Sequence, residues 1–281
     1  MTQETYHMKV GSIECVIVAD AAERIPDYVA MFPHLDAGDV RRAAEPHLDA
    51  SGVLIGSLNI LLIKTGGKTY LVDAGMGAAT KPASGHLLDN LQSIGIAPQD
   101  IDTVIISHAH GDHINGTMDA DGEFVFPHAN YVMWAEEWNY WTSEETLASM
   151  DPERAALMRE KMAPFQEKLT LIDSEDQEIA PGVCPMPTPG HTPGHMSLMI
   201  ESDGERLVHM VDVSHLLFQP QNPDWSPKYD TLPELAAQTR RRFYERAVAE
   251  NWLVLAYHHP FPGLGHFEKD GDGFAWKPIQ D

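Results

Sequence analysis

Two cysteines in 281 residues, Cys15 and Cys184, give this chain no disulfide scaffold and no Cys-x-x-Cys metal pair, leaving at most one bridge open. No run approaches the ~20 uninterrupted apolar residues of a membrane-crossing helix. The opening Met1-Thr2-Gln3-Glu4-Thr5-Tyr6-His7-Met8-Lys9 lacks a basic start followed by an apolar stretch. A secretory leader is therefore expected to be absent or already removed, with the cytoplasm as the expected compartment. Positive charge is also scarce: 19 Lys and Arg stand against 42 Asp and Glu, a formal net charge of −23. A surface this acidic repels phosphate backbones and anionic lipid, which argues against nucleic acid and membrane as partners. Sustained repeats, low-complexity tracts and linker-like stretches are missing too, so residues 1–281 are read as one domain.

What is present is a globular composition, 43% hydrophobic and 22% charged, sufficient for a packed core. Histidine is plentiful, with 15 copies, and it is the commonest ligand for borderline metals. Residues 10–19 read as a strand. Residues 22–56, rich in Pro, Gly, His and Asp, read as an irregular excursion with a short helix near 38–45. Asn59 to Thr65 and Lys68 to Asp73 form a hairpin signal around Gly66-Gly67. Helical spacing covers His86 to Ile94, Trp134 to Trp141, Pro152 to Glu167 and Leu232 to Asn251. Further strands are expected at 101–107, 130–133, 169–172, around Val183, at 197–201 and 206–211, with Trp252 to Tyr257 as the last. Strands first, then helices and strands mixed, twice over, fit strands sandwiched between helical layers.

The chemistry-bearing run is His108-Ala109-His110-Gly111-Asp112-His113, directly after a buried strand. In extended backbone His108 and His110 point the same way. A turn at Gly111 would present Asp112 and His113 to a neighbouring point, so one loop offers two metal positions. Trp134, Trp138, Trp141, Phe218, Trp225 and Phe261 are candidate walls for an apolar pocket, joined by His215 and His266. His195 reads as a hydrogen-bonding turn residue and His209 as packing or surface.

The pattern His108-x-His110-x-Asp112-His113 resembles the signature of the metallo-β-lactamase superfamily, and other pieces follow in that family's order. Tyr70-Leu71-Val72-Asp73-Ala74-Gly75 resembles its strand-end motif. Thr188-Pro189-Gly190-His191-Thr192-Pro193-Gly194-His195 resembles its second His motif, and Val211-Asp212-Val213 its bridging carboxylate. Tyr257-His258-His259-Pro260-Phe261-Pro262-Gly263 resembles the end of the branch containing methyl parathion hydrolase, lactonases and arylesterases. The segment from Asp212 to Arg242 resembles that branch as well, and the likeness spans roughly residues 59–267.

The resemblance implies an α/β fold of the α+β type, a four-layer αββα sandwich. One metal would be held by His108, His110 and His191, and the other by Asp112, His113 and a C-terminal His, with Asp212 bridging both. The branch places that last ligand three residues before Phe-Pro-Gly, which favours His258 over His259; strand neighbours face opposite ways, so one of the two and not both is expected to ligate. Asp73 would orient a ligand without binding metal itself. Imidazoles and carboxylates without thiolate suit two divalent ions, Zn first, with Mn, Co or Fe also fitting. Asp112 and Asp212 are the implied catalytic residues, and a hydroxide bridging the metals is the implied nucleophile. The implied substrates are small apolar lactones or aryl esters, with phosphotriesters in range and a homodimer left open. A thioester hydrolase of the hydroxyacylglutathione hydrolase type is the alternative; it would want a basic cluster, and only Arg240-Arg241-Arg242 offers one. A redox diiron member would replace the second His with Glu, and a β-lactamase proper lacks the bridging Asp.

Overall fold

The computed structural model describes residues 4–280. Seven strands lie side by side in chain order in one sheet: β1 (Thr5–Val10), β2 (Ile13–Ile25), β3 (Leu54–Thr65), β4 (Lys68–Val72), β5 (Thr103–Ile106), β6 (Asn130–Trp134) and β7 (Leu169–Ile172). Six more form a second sheet, again in chain order: β8 (Val183–Pro187), β9 (Met196–Ser202), β10 (Glu205–Val211), β11 (Leu253–Ala256), β12 (Leu264–Asp270) and β13 (Gly273–Pro278). The helices are α1 (Ala37–Ala44), α2 (Leu87–Ser93), α3 (Gly111–Ile114), α4 (Ala135–Thr142), α5 (Glu144–Ser149), α6 (Pro152–Met162) and α7 (Pro233–Ala249).

The period-two alternation of strands sorts the apolar residues into layers. Cys15, Ile17, Leu61, Ile63 and Val72 face inward and meet Met196, Leu198, Ile200, Leu207 and Leu255 of the second sheet. The intervening Val16, Val18, Ile60 and Leu62 face outward onto Leu87 and Leu91 of α2 and the shared cluster with Met158 and Met162 of α6. On the far side, Val208, Met210, Val254 and Ala256 are covered by Phe243, Tyr244 and Ala247 of α7. The result is the expected helix–sheet–sheet–helix sandwich.

Some elements differ from the sequence expectation. The strand at 252–257 is not the last, because Asp270-Gly271-Asp272-Gly273 turns β12 into β13, with Gly271 at φ 55°. That hairpin is fixed by burial of Phe267 and Phe274 against Tyr244. β2 runs on to Ile25 past a bulge at Asp20, which shortens the irregular excursion. An additional short helix, α5, starts at Ser143, whose hydroxyl accepts from the Thr146 N–H. Pairing is parallel for β4 with β5, and for β10 with β11. Their carboxyl ends therefore emerge along one edge of the sandwich, the usual place for sites in such sheets.

Candidate metal centre

At that edge the backbone turns sharply. Asp73, just past β4, has φ 65°, and Val211, at the end of β10, has φ 50°. A β-branched residue in the left-handed region is strained, and such strain clusters at functional sites. The chain leaving β5 runs through Ser107 and His108 to His110, where α3 begins. The turn expected at Gly111 is thus the first turn of a short helix carrying Asp112 and His113. His191 lies between β8 and β9, Asp212 follows β10, and His258 follows β11.

These side chains converge on one carboxylate oxygen. Asp212 Oδ2 lies 3.1 Å from His215 Nε2, 3.3 Å from both His191 Nε2 and His258 Nε2, 3.4 Å from His113 Nε2 and 3.7 Å from His108 Nε2. On one side His110 Nδ1 lies 3.2 Å from His108 Nε2 and 2.8 Å from His191 Nε2. On the other, Asp112 Oδ2 lies 3.6 Å from His113 Nε2 and 3.4 Å from His258 Nε2. Among the described residues the donor atoms fall into the sets His108–His110–His191 and Asp112–His113–Asp212–His258, plus His191–Asp212–His215.

The outward-facing ring nitrogens are held in turn, as ligand histidines usually are. Asp73 Oδ2 lies 2.8 Å from His113 Nδ1 and accepts from Ser107 Oγ at 2.7 Å, while Ser107 Oγ lies 3.1 Å from His108 Nδ1. Asp230 Oδ1 accepts from His191 Nδ1 at 2.9 Å, and its other oxygen accepts from Arg240 at 2.9 Å. Glu23 Oε2 lies 3.2 Å from His258 Nδ1. The charges follow these neighbours. Burial and the surrounding rings push His108 well below the usual imidazole range and His110 down to about 3. Burial opposes the charge on His191 as well, but hydrogen bonds to Asp212 and Asp230 raise it to about 9. His113 is also raised against burial, by Asp212, Asp112 and Asp73. Asp212 is buried too, yet His258, His113 and His215 hold its carboxyl well below the usual range.

The donor set fits divalent ions. Ligand atoms ~2.0–2.1 Å from a shared tetrahedral ion lie about 3.3 Å apart, close to most of the spacings here. His113 Nε2 and Asp212 Oδ1 are buried with no hydrogen-bond partner. An unsatisfied buried polar atom costs about 1–3 kcal/mol, and a cation would satisfy both. Asp73→Asn is expected to lower metal affinity by about 10–100-fold, because the ring it orients would lose its charged partner. A competition titration with a chromophoric chelator measures this.

The centre floors a cavity of about 810 Å³ that also reaches Ile25, Met31, Trp141, Met150 and Leu216. Of the expected pocket residues, Trp141 and His215 line it. Phe218 and Trp225 do not. They pack with tilted rings on Phe32 at centroid distances of 5.7 and 6.3 Å, in a cluster shared by the 26–54 excursion and the 214–226 segment. Phe261 packs at the edge of the inter-sheet core and borders a separate cavity. His266 sits on β12 opposite Lys277, away from the centre. His259 points away from His258, against Trp276 at 4.7 Å. His195 Nε2 accepts from the Asp212 N–H at 3.1 Å, and His209 Nδ1 lies 3.2 Å from Leu255 O, so both serve the framework.

Sequence reading missed Glu23 and Glu137, both of which resemble ordinary surface acids in the string. It also missed that Arg154 and Lys228 border the cavity. The Arg240-Arg241-Arg242 cluster is no anion site, since Arg240 is fully buried and ion-paired.

A family model for the metallo-beta-lactamase superfamily matches residues 55–256. The chain is 28% identical over 174 residues to an N-acyl homoserine lactonase from a Bacillus species, covering 62% of each chain. It therefore spans somewhat less than two thirds of that relative's length. Among solved structures it resembles AidC, described as a dizinc quorum-quenching lactonase in complex with a product, N-hexnoyl-L-homoserine. Identity is 27%, coverage 99% of this chain and 98% of that one, and the TM-score 0.90. It also resembles AbOPH, described as a hydrolase in the beta lactamase superfamily, at 25% identity over 100% of this chain and 99% of the other, with a TM-score of 0.87.

Proposed function

The chain belongs to the metallo-beta-lactamase superfamily, and from that membership we propose that it is a dinuclear metal-dependent lactonase. Its substrates are N-acyl homoserine lactones and similar small lactones, with aryl esters and phosphotriesters as lesser substrates. The observation carrying this reading is the single oxygen of Asp212 ringed by imidazoles at the floor of a cavity whose mixed wall includes an apolar strip of Ile25, Met31 and Leu216. The relatives named for lactone hydrolysis support it. His108, His110 and His191 would hold one ion and Asp112, His113 and His258 the other, with Asp212 between them. Zinc is the proposed metal, after the dizinc neighbour.

Two divalent ions, when bound, supply Lewis acidity and bring the ionisation of water toward neutral pH. The residues supply the rest. Hydrolysis joins a water oxygen to the carbonyl carbon, breaks the ring C–O bond and returns a proton to the departing oxygen. Asp112 borders the cavity and is half-buried, and its carboxylate is the proposed group that takes the proton from water and passes it on. Tyr257 fixes that turn by donating to the Asp112 carbonyl at 2.7 Å. Ile25, Met31 and Leu216 exclude water from an acyl chain lying along the wall.

Arg154 and Lys228 give the second reading, thioester hydrolysis, its specific support. They border the cavity in a chain of net charge −23, where an anionic substrate would meet them. The expected result favours the lactone. Purified protein should open an N-acyl homoserine lactone with kcat/KM at least about a hundredfold above that for a glutathione thioester, near 3 kcal/mol in transition-state terms. The reverse ranking would overturn the lactonase reading. Exhaustive chelation should abolish turnover, and Zn, Mn or Co should restore it.

A further inference from the structure

Outside the ligands themselves, the most heavily engaged carboxylate near the centre is Glu137. It lies in the first turn of α4, where an acid would ordinarily need no explanation beyond the helix dipole. Instead it is fully buried and accepts four hydrogen bonds. Oε1 accepts from the Ala109 N–H at 2.8 Å and from Trp141 Nε1 at 2.6 Å. Oε2 accepts from Thr192 Oγ1 at 2.6 Å and from the Gly194 N–H at 3.1 Å. Ala109 lies between His108 and His110, while Thr192 and Gly194 follow His191. The two loops leave different sheets, and Glu137 ties one to each of its oxygens.

A second observation is independent of those bonds. A Cβ on Gly194 would collide with the backbone of Glu137, so the His191 loop reaches α4 at a closeness only glycine allows. Trp141, one turn further along α4, has its indole N–H held by the same carboxylate. Its ring stands 5.9 Å from His110 and lines the cavity. None of these bonds involves Asp112, His113 or His258.

We propose that Glu137 is a positioning residue that sets the spacing between the His108–His110 pair and His191, and so governs one of the two metal positions while leaving the other intact. The inference rests on the two-metal reading of the centre and is indifferent to the substrate. A glutamine in its place keeps one oxygen for Ala109 and Trp141 but turns an N–H₂ toward the Gly194 N–H, two donors face to face. Thr192→Val removes a single bond and leaves the carboxylate.

The test loads the full chain with zinc, then titrates it with a chelator while counting bound zinc by mass spectrometry. The same variants carrying Co²⁺ are followed by visible absorption. Wild type should release two equivalents. In Glu137→Gln one equivalent should weaken by about 10–100-fold, the range for partners behind a metal ligand, and the other should be unchanged. One cobalt band set should shift, and kcat should fall while KM stays within about threefold. Thr192→Val should move the same equivalent by less. If both variants keep two equivalents at wild-type affinity, or lose both in parallel with a fall in melting temperature, Glu137 is structural and the proposal fails. Wild-type protein that retains no divalent ion overturns the proposal together with the centre.

Discussion

Replacing Asp212 with alanine should lower lactone turnover by at least about a thousandfold, more than the ~10²–10³ commonly lost with one electrostatic stabiliser. Both metal equivalents should weaken together. The reason is geometric: one oxygen of this carboxylate lies between 3.1 and 3.7 Å from five imidazole nitrogens. Each of the other candidate ligands belongs to one side of the centre, and only this residue faces both. Its loss also removes the main counter-charge from His113 and His258, whose imidazoles are raised against burial chiefly by Asp212. The fold should survive, because the residue 212 backbone N–H still donates to His195. Equilibrium dialysis against zinc, with circular dichroism as a folding control, checks this. An alanine variant that binds two zinc ions and keeps a tenth of wild-type turnover would end the bridging role.

Arg240→Met should produce the largest loss of stability, about 3–5 kcal/mol, the range for removing one partner of a buried ion pair. At roughly 2–4 °C per kcal/mol for a chain of this size class, the melting temperature should fall by about 10 °C. The guanidinium is fully buried on α7. It donates to Val213 O at 2.7 Å, Pro223 O at 2.9 Å, Trp225 O at 3.1 Å and Asp230 Oδ2 at 2.9 Å. Methionine fills the volume but leaves the Val213 and Pro223 carbonyls and Asp230 Oδ2 without the guanidinium, and Trp225 O with only Gln219 Nε2 at 3.3 Å. Asp230 would then face His191 alone, so metal affinity should fall as well. The neighbouring Arg241→Met is the control. Arg241 pairs with the exposed Asp224 and should change stability by no more than about 0.5 kcal/mol. Equal shifts for the two variants, read by thermal melts, would dismiss the buried network as the cause.

The candidate ligand residues were legible because each sits in a short local pattern at the end of a recognisable strand. His108 to His113, His191, Asp212 and His258 needed no knowledge of which strands pair. The residues that hold them were not legible, because their partners are far away in sequence. Glu137 meets Thr192 and Gly194 across more than fifty positions, with separations of 55 and 57, and Glu23 meets His258 across 235. In the string both look like solvated acids. Of the aromatic wall, Trp141 lines the cavity, and the rest failed for a related reason. Phe218 and Trp225 are as apolar as a pocket lining should be, but packing on Phe32 gains more than facing a partly wet cavity would. The final hairpin was written in Asp270-Gly271-Asp272-Gly273, yet the charged residues around it masked an alternation visible only at Phe267 and Phe274.

The division of the ligands between the sheets has a consequence for the order of events during synthesis. The first sheet ends at Ile172 and carries four of the seven candidate ligands, while the other three emerge after Pro187. Neither set is complete when the first half leaves the ribosome: one waits for His191, the other for Asp212 and His258. On the two-metal proposal, a nascent chain would carry a histidine-rich edge with too few donors to hold an ion firmly. In the proposed two-metal centre, firm capture would be deferred until β11 has paired beside β10, so metal binding would couple to the arrival of the late strands.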